Sequence, residues 1–136
     1  MSAEANVQLV QEIYEAFGKG DLEFIVNSVT DDVDWGEEAA GDDAPWWGRR
    51  TGKDGVSEFF AKLGEAVEVT EFSPESFTAN DNDEVMARVR YAYRGRASGK
   101  DAAPGYIQHY FRLQDGKVAY WGGSSDTLIA AKTLAA

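Results

Sequence analysis

The chain has no cysteine and a single histidine in 136 residues. Without cysteine there is no disulfide framework, no thiol nucleophile and no thiolate zinc site. With His109 alone, neither a two-histidine metal site nor an HExxH pair can form, so the sequence predicts no metal and no other cofactor. Long apolar runs are missing too: no stretch reaches the roughly 18 residues that span a bilayer, and Met1 to Val7 lacks a basic segment leading into an apolar one. A cytoplasmic location is the expectation. Basic residues are scarce, 13 Lys plus Arg against 24 Asp plus Glu, for a net charge of −11. Such a surface repels nucleic acid and anionic membranes, and neither is an expected partner.

Hydrophobic residues are plentiful, at 43% of the chain with four Trp, six Tyr and seven Phe. That is enough apolar surface for one core, and the length fits one domain over residues 1–136. Val7, Val10, Ile13, Tyr14 and Phe17 recur at helical steps and predict a first helix ended by Gly18 and Gly20. Asp21 caps a second, with Leu22, Ile25, Val26 and Val29 on its apolar face and Thr30 to Asp32 as its exit. Val33 and Trp35 alternate with Asp34 and Gly36 in a short strand that leads to a loop over residues 37–50. Thr51 to Asp54 has capping-box spacing, and Val56, Phe59, Phe60, Leu63 and Val67 form the buried face of a third helix. Four strands follow, near 69–79, 84–97, 105–114 and 117–124, the last two joined by the Asp115-Gly116 turn. The tail, 127–134, reads as a short helix or a last strand segment. The predicted class is α+β, a curved antiparallel sheet wrapped around three N-terminal helices to leave an apolar pocket.

Strand alternation sorts the side chains by face. Val85, Ala87, Val89, Tyr91 and Tyr93 share one face, whereas Arg88, Arg90, Arg94 and Arg96 share the other and pair with carboxylates or meet a second subunit. Ile107, His109, Phe111 and Leu113 form the apolar face of the next strand, which makes His109 a candidate polar group in the pocket. If the strand continues past Gly36, Glu37 ends the face of Val33 and Trp35; if the chain has already turned, Glu37 and Glu38 face water. A carboxyl on that face has its pKa raised by desolvation, as a general base requires.

The segments Tyr14 to Asp21, Thr30 to Trp35, Pro45-Trp46 with Gly48-Arg49, Gly52 to Phe60, His109 to Val118 and Asp126-Thr127 occur in an order that resembles the nuclear transport factor two-like superfamily, with its SnoaL-like cyclases and ketosteroid isomerases. The resemblance implies a cone-shaped barrel whose cavity takes a small apolar or aromatic molecule, and a homodimer formed through the outer sheet face. His109 matches the position of the isomerase's protonated Asp and of the cyclases' histidine, and Glu37 falls near the isomerase's proton-abstracting carboxylate. Ile13, not Tyr14, aligns with the isomerase's oxyanion tyrosine, and Gly123 stands where the cyclases carry an acid. Epoxide hydrolases of this fold use an Arg and an Asp two apart, and this chain has Ile107 and His109 there. The candidate catalytic pair is therefore His109 and Glu37, with Tyr14, Trp35, Trp46, Trp121 and Asp126 as candidate ligand contacts. Two functions remain open: acid–base chemistry of isomerase or lyase type on a small carbonyl or cyclic compound, and ligand binding without catalysis.

Overall fold

The computed structural model describes residues 2–136. Helix α1 (Ala3–Lys19) starts at Ser2, whose hydroxyl accepts from the Ala5 amide, and stops at Gly20, where φ of +73° suits a residue without Cβ. Asp21 caps the six-residue α2 (Leu22–Asn27) by accepting from the Phe24 amide at 3.1 Å. Val29, expected on this helix, instead opens strand β1 (Val29–Glu37), and Thr30 to Asp32 lie within the strand. Val29 pairs with Val118 in the sheet, and the Val118 amide donates to Ser28 O at 2.9 Å. Sheet pairing thus claims a β-branched residue whose helical propensity is weak.

After β2 (Arg50–Thr51) comes α3 (Gly52–Ala66), with Thr51 at its N-cap but no side-chain bond from that hydroxyl, so the expected capping box does not form. Val67, assigned above to this helix, starts β3 (Val67–Ala79) opposite Gly95. Strands β4 (Glu84–Gly95), β5 (Gly105–Gln114) and β6 (Lys117–Ser124) follow, and α4 (Thr127–Leu134) ends the chain as a helix. The β5–β6 turn has Asp115 at φ +50° and Gly116 at φ +79°, the primed geometry expected of Asp-Gly.

The six strands are ordered β2-β1-β6-β5-β4-β3, antiparallel throughout except for the parallel pair β1–β6. Register shifts in β1–β6, β3–β4 and β5–β6 bend the sheet, which curves without closing. Two registers matter for the site. Trp35, Trp121, Phe111 and Val85 lie side by side across β1, β6, β5 and β4, and one step on lie Glu37, Gly123, His109 and Ala87. Both rows face the helices, and Val10, Ile25 and Val56 from α1, α2 and α3 complete the core against them. On the outer face Arg90 pairs with Glu71 at 3.3 Å, Arg94 with Asp101 at 2.8 Å, and Arg88 lies over the Tyr106 ring.

Candidate functional site

Between sheet and helices lies a cavity of about 90 Å³ lined almost wholly by aromatic and aliphatic side chains. Glu37, His109, Tyr14, Trp35, Trp46 and Trp121 all line it. Asp126 does not line it: its carboxylate caps α4 by accepting from the Ile129 amide at 3.1 Å, and the residue is exposed. A helix start attracts a short acceptor side chain for this reason, with no ligand involved.

His109 is 6% exposed, with the Trp121 ring centroid 5.0 Å away and Phe111 beside it. Burial disfavours the imidazolium and pushes its pKa down to about 3. Its Nδ1 lies 2.8 Å from the Tyr14 hydroxyl. One residue out of phase with the isomerase alignment, Tyr14 still reaches the histidine, because α1 presents both Ile13 and Tyr14 to the cavity. Burial raises the Tyr14 pKa, so the phenol keeps its proton; the bond has the phenol donating to Nδ1 with the imidazole proton on Nε2, or the phenol accepting from Nδ1–H.

Glu37 ends β1 and is also 6% exposed. Desolvation raises its pKa to about 7, against hydrogen bonds from Trp46 and Ser125 that favour the ionised form. Its neighbour on β6 is Gly123, and a Cβ at that position would lie 3.0 Å from Glu37 Cγ and 3.2 Å from the Trp121 ring. The missing side chain leaves room for the Glu37 stem beside β6. Two strand spacings separate the Cα atoms of Glu37 and His109, roughly 9–10 Å, and both residues line the cavity.

The loop after β1 holds the Glu37 end in place. The Gly48 amide donates to Glu37 O at 2.9 Å, and Arg49 spans two strands by donating to Gly36 O at 2.6 Å and Trp121 O at 2.9 Å and pairing with Asp34. Gly36 permits this approach, since a Cβ there would sit 2.1 Å from Gly48 O. Sequence reasoning assigned no site role to Gly36, Arg49, Ser125, Tyr91 or Tyr93. Tyr91 and Tyr93 were legible from β4 alternation; the contacts of Arg49 join segments far apart in the chain, and no local pattern reveals them. Among the described residues no group of three or more His, Asp or Glu could hold a metal ion, and no helix is long and apolar enough to cross a membrane.

Comparison with curated proteins finds no match in sequence. Among solved structures, the chain is similar to an NTF2-like protein of Burkholderia pseudomallei at 23% identity, with all of both chains covered and a TM-score of 0.88. It is similar to TerC, co-crystallised with polyporic acid, at 21% identity over 96% of this chain and 98% of that one, TM-score 0.84. A Xanthomonas campestris protein provisionally assigned as a polyketide cyclase is 17% identical over 98% of each chain, TM-score 0.78. At such identities these likenesses establish the fold, which is NTF2-like. Residues 10–121, from the middle of α1 to Trp121 in the cavity lining, match the SnoaL-like domain, and the chain belongs to that family.

Proposed function

We propose that this chain is a cofactor-independent enzyme running acid–base chemistry of isomerase or lyase type on a small apolar carbonyl or cyclic compound. In this reading Glu37 is the base, and His109, held by Tyr14, steadies the developing oxyanion. The observation that carries it is the Glu37 carboxyl, enclosed in an apolar cavity that His109 also lines, with a pKa pushed up to about 7. A group with that pKa exists in both forms near neutrality and can take a proton and return it. His109 stays uncharged at neutral pH and, with the phenol donating to Nδ1, offers Nε2–H as a hydrogen-bond donor, a way for a neutral imidazole to polarise a carbonyl. The SnoaL-like cyclases carry an acid where this chain has Gly123; Glu37, beside that glycine, supplies a carboxylate from the next strand.

A second reading, a binding protein without catalysis, draws on the Trp35 and Trp121 rings stacked at 4.7 Å in the cavity wall. Such a surface holds an apolar or aromatic ligand by burial alone. A thermal-shift screen of cyclic ketones, phenols, hydroxylated terpenoids and polyporic acid, each hit followed for chemical change, separates the two. For the enzyme, Glu37→Gln lowers turnover by roughly 10²–10⁴ and changes ligand affinity far less. A hit that binds tightly, is recovered unchanged over hours and depends on Trp35 or Trp121 more than on Glu37 sinks the enzyme reading.

A homodimer through the outer sheet face and a cytoplasmic location belong to the same proposal. That face carries Arg88, Arg90, Tyr106, Gln108 and Tyr110, and Met86 beside them is 52% exposed. Arginine, tyrosine and methionine are enriched at interfaces. Sedimentation at micromolar concentration that finds only a 14.9 kDa species counts against the dimer.

A further inference from the structure

The cavity holds about 90 Å³, well below the roughly 300–1,000 Å³ of sites that enclose a drug-sized ligand, so a ligand of that size enters only if part of the lining moves. Most of the sheet wall is fixed by pairing on both sides: β1, β6, β5 and β4 each lie between two bonded neighbours. Strand β3 differs, because it is an edge strand bonded to β4 alone. Its register shifts twice, between Val69 and Glu71 and between Pro74 and Ser76, which leaves Thr70 and Glu75 unpaired on either side of Phe72. Such bulges interrupt the ladder and let a strand bend.

Outside this stretch a surface groove runs between α1 and β3. Tyr14, Phe17, Val69 and Phe72 line both the groove and the cavity, so their side chains stand between solvent and the interior. Val69 is 37% exposed although it lines the cavity. Among the described residues no hydrogen bond joins α1 to β3: Asn6 binds Asp83 beyond the end of the strand, and Tyr14 binds His109. Aromatic contact closes the seam instead, with ring centroids 4.8 Å apart for Phe17 and Phe72 and 5.6 Å apart for Tyr14 and Phe72. The Phe72 ring lies 6.4 Å from that of His109, so a molecule that passes it arrives beside the candidate histidine. We propose that the seam between α1 and β3 is the entrance to the cavity, and that the Phe17 and Phe72 rings are its gate, opened by movement of β3 between its two bulges. The inference rests on the proposed function only in giving the cavity a ligand.

Because the chain has no cysteine, one thiol placed in the cavity reports entry with no ligand identified. Ile107 lines the cavity and is 6% exposed, so Ile107→Cys is labelled with the small uncharged reagent methyl methanethiosulfonate and followed by mass spectrometry. Entry through a gate is a local opening that exposes little surface, and its rate should stay flat at low urea; entry by global unfolding climbs with urea. In this background Phe17→Ala and Phe72→Ala should each speed labelling about tenfold, since part of the aromatic contact that opening must break is already gone. Leu63→Ala truncates a half-buried lining residue of α3 that takes no part in the groove, and should leave the rate nearly unchanged. Where Phe72→Ala does not fold, Phe72→Leu replaces it and should speed labelling by a smaller factor. A rate that climbs with urea from the start, or a Leu63→Ala rate that rises as far as those of the phenylalanine variants, overturns the gate and leaves Glu37 and His109 in place. The proposed chemistry keeps its own test in Glu37→Gln turnover, on which labelling of a thiol does not depend.

Discussion

Glu37 and His109 stand at two ends of one cavity and meet the same low-dielectric surroundings, yet burial drives them in opposite directions. The carboxyl is pushed up to about 7 and the imidazole down to about 3, because burial penalises whichever form is charged. Both ends are therefore uncharged just below neutral pH, and only Glu37 changes state near pH 7. Their supports differ as well. Glu37 is held by a loop that Arg49 fastens to two strands, and His109 by one bond to a helix. A cavity can thus be apolar on average and still keep one group ready to exchange a proton, provided the other is prevented from doing so.

The largest effect that would break this comparison is in stability against pH. Between pH 4.5 and 6.5, the ordinary values of the two groups, the unfolded chain carries one proton on His109 and none on Glu37, and the folded chain carries one on Glu37 and none on His109. Proton counts match, so the two contributions cancel across that window. Glu37→Gln removes one side: the unfolded state now binds the extra proton, and stability should rise with pH by about 1.4 kcal/mol per unit relative to wild type, roughly 3 kcal/mol over the window. His109→Asn removes the other, so that stability should fall as pH rises from 4.5 toward 7. Urea denaturation at half-unit pH steps measures both slopes. Difference curves of the same sign would show that the two ends do not oppose each other.

Gly123→Ala is expected to have a smaller effect, about 1–3 kcal/mol, because the added methyl would press on Glu37 Cγ and the Trp121 ring. It should also displace the Glu37 carboxyl and lower its pKa toward the ordinary range by letting it meet solvent, a change that ¹³C titration of the carboxyl would follow. An unchanged Glu37 titration in a folded Gly123→Ala protein would mean that the glycine is incidental to the site.

Much of this arrangement was legible in the sequence where it followed a period. Ile107, His109, Phe111 and Leu113 point inward as alternation predicts, each no more than 6% exposed, and the Asp-Gly turn fixes the β5–β6 pairing. The failures come where tertiary pairing outweighs local pattern. Val29 and Val67 have helical spacing but are taken by the sheet, and Asp126 reads as a site residue although it caps α4. The bond from Tyr14 to His109 crosses 95 positions of chain, and only the relative seating of α1 and β5 determines it.

That bond supplies the smallest test. Tyr14→Phe leaves the aromatic packing around Phe72, Phe77 and Phe111 nearly intact and removes only the hydroxyl. His109 Nδ1 then loses its partner, at a cost of about 1–2 kcal/mol for an unpaired buried polar group. In the wild type the bond to the phenol holds the imidazole in one tautomer, Nε2–H where the phenol donates, so ¹⁵N spectra at neutral pH should give one protonated nitrogen and one bare nitrogen with well-separated shifts. In Tyr14→Phe nothing selects between the tautomers, and the two shifts should draw together. The Glu37 titration should stay near 7 in this variant, because the phenol is not among the groups that set it. Separated nitrogen shifts that survive the loss of the hydroxyl would mean that something other than Tyr14 orients His109, and a Glu37 titration that moves with it would mean that the two ends of the cavity are coupled.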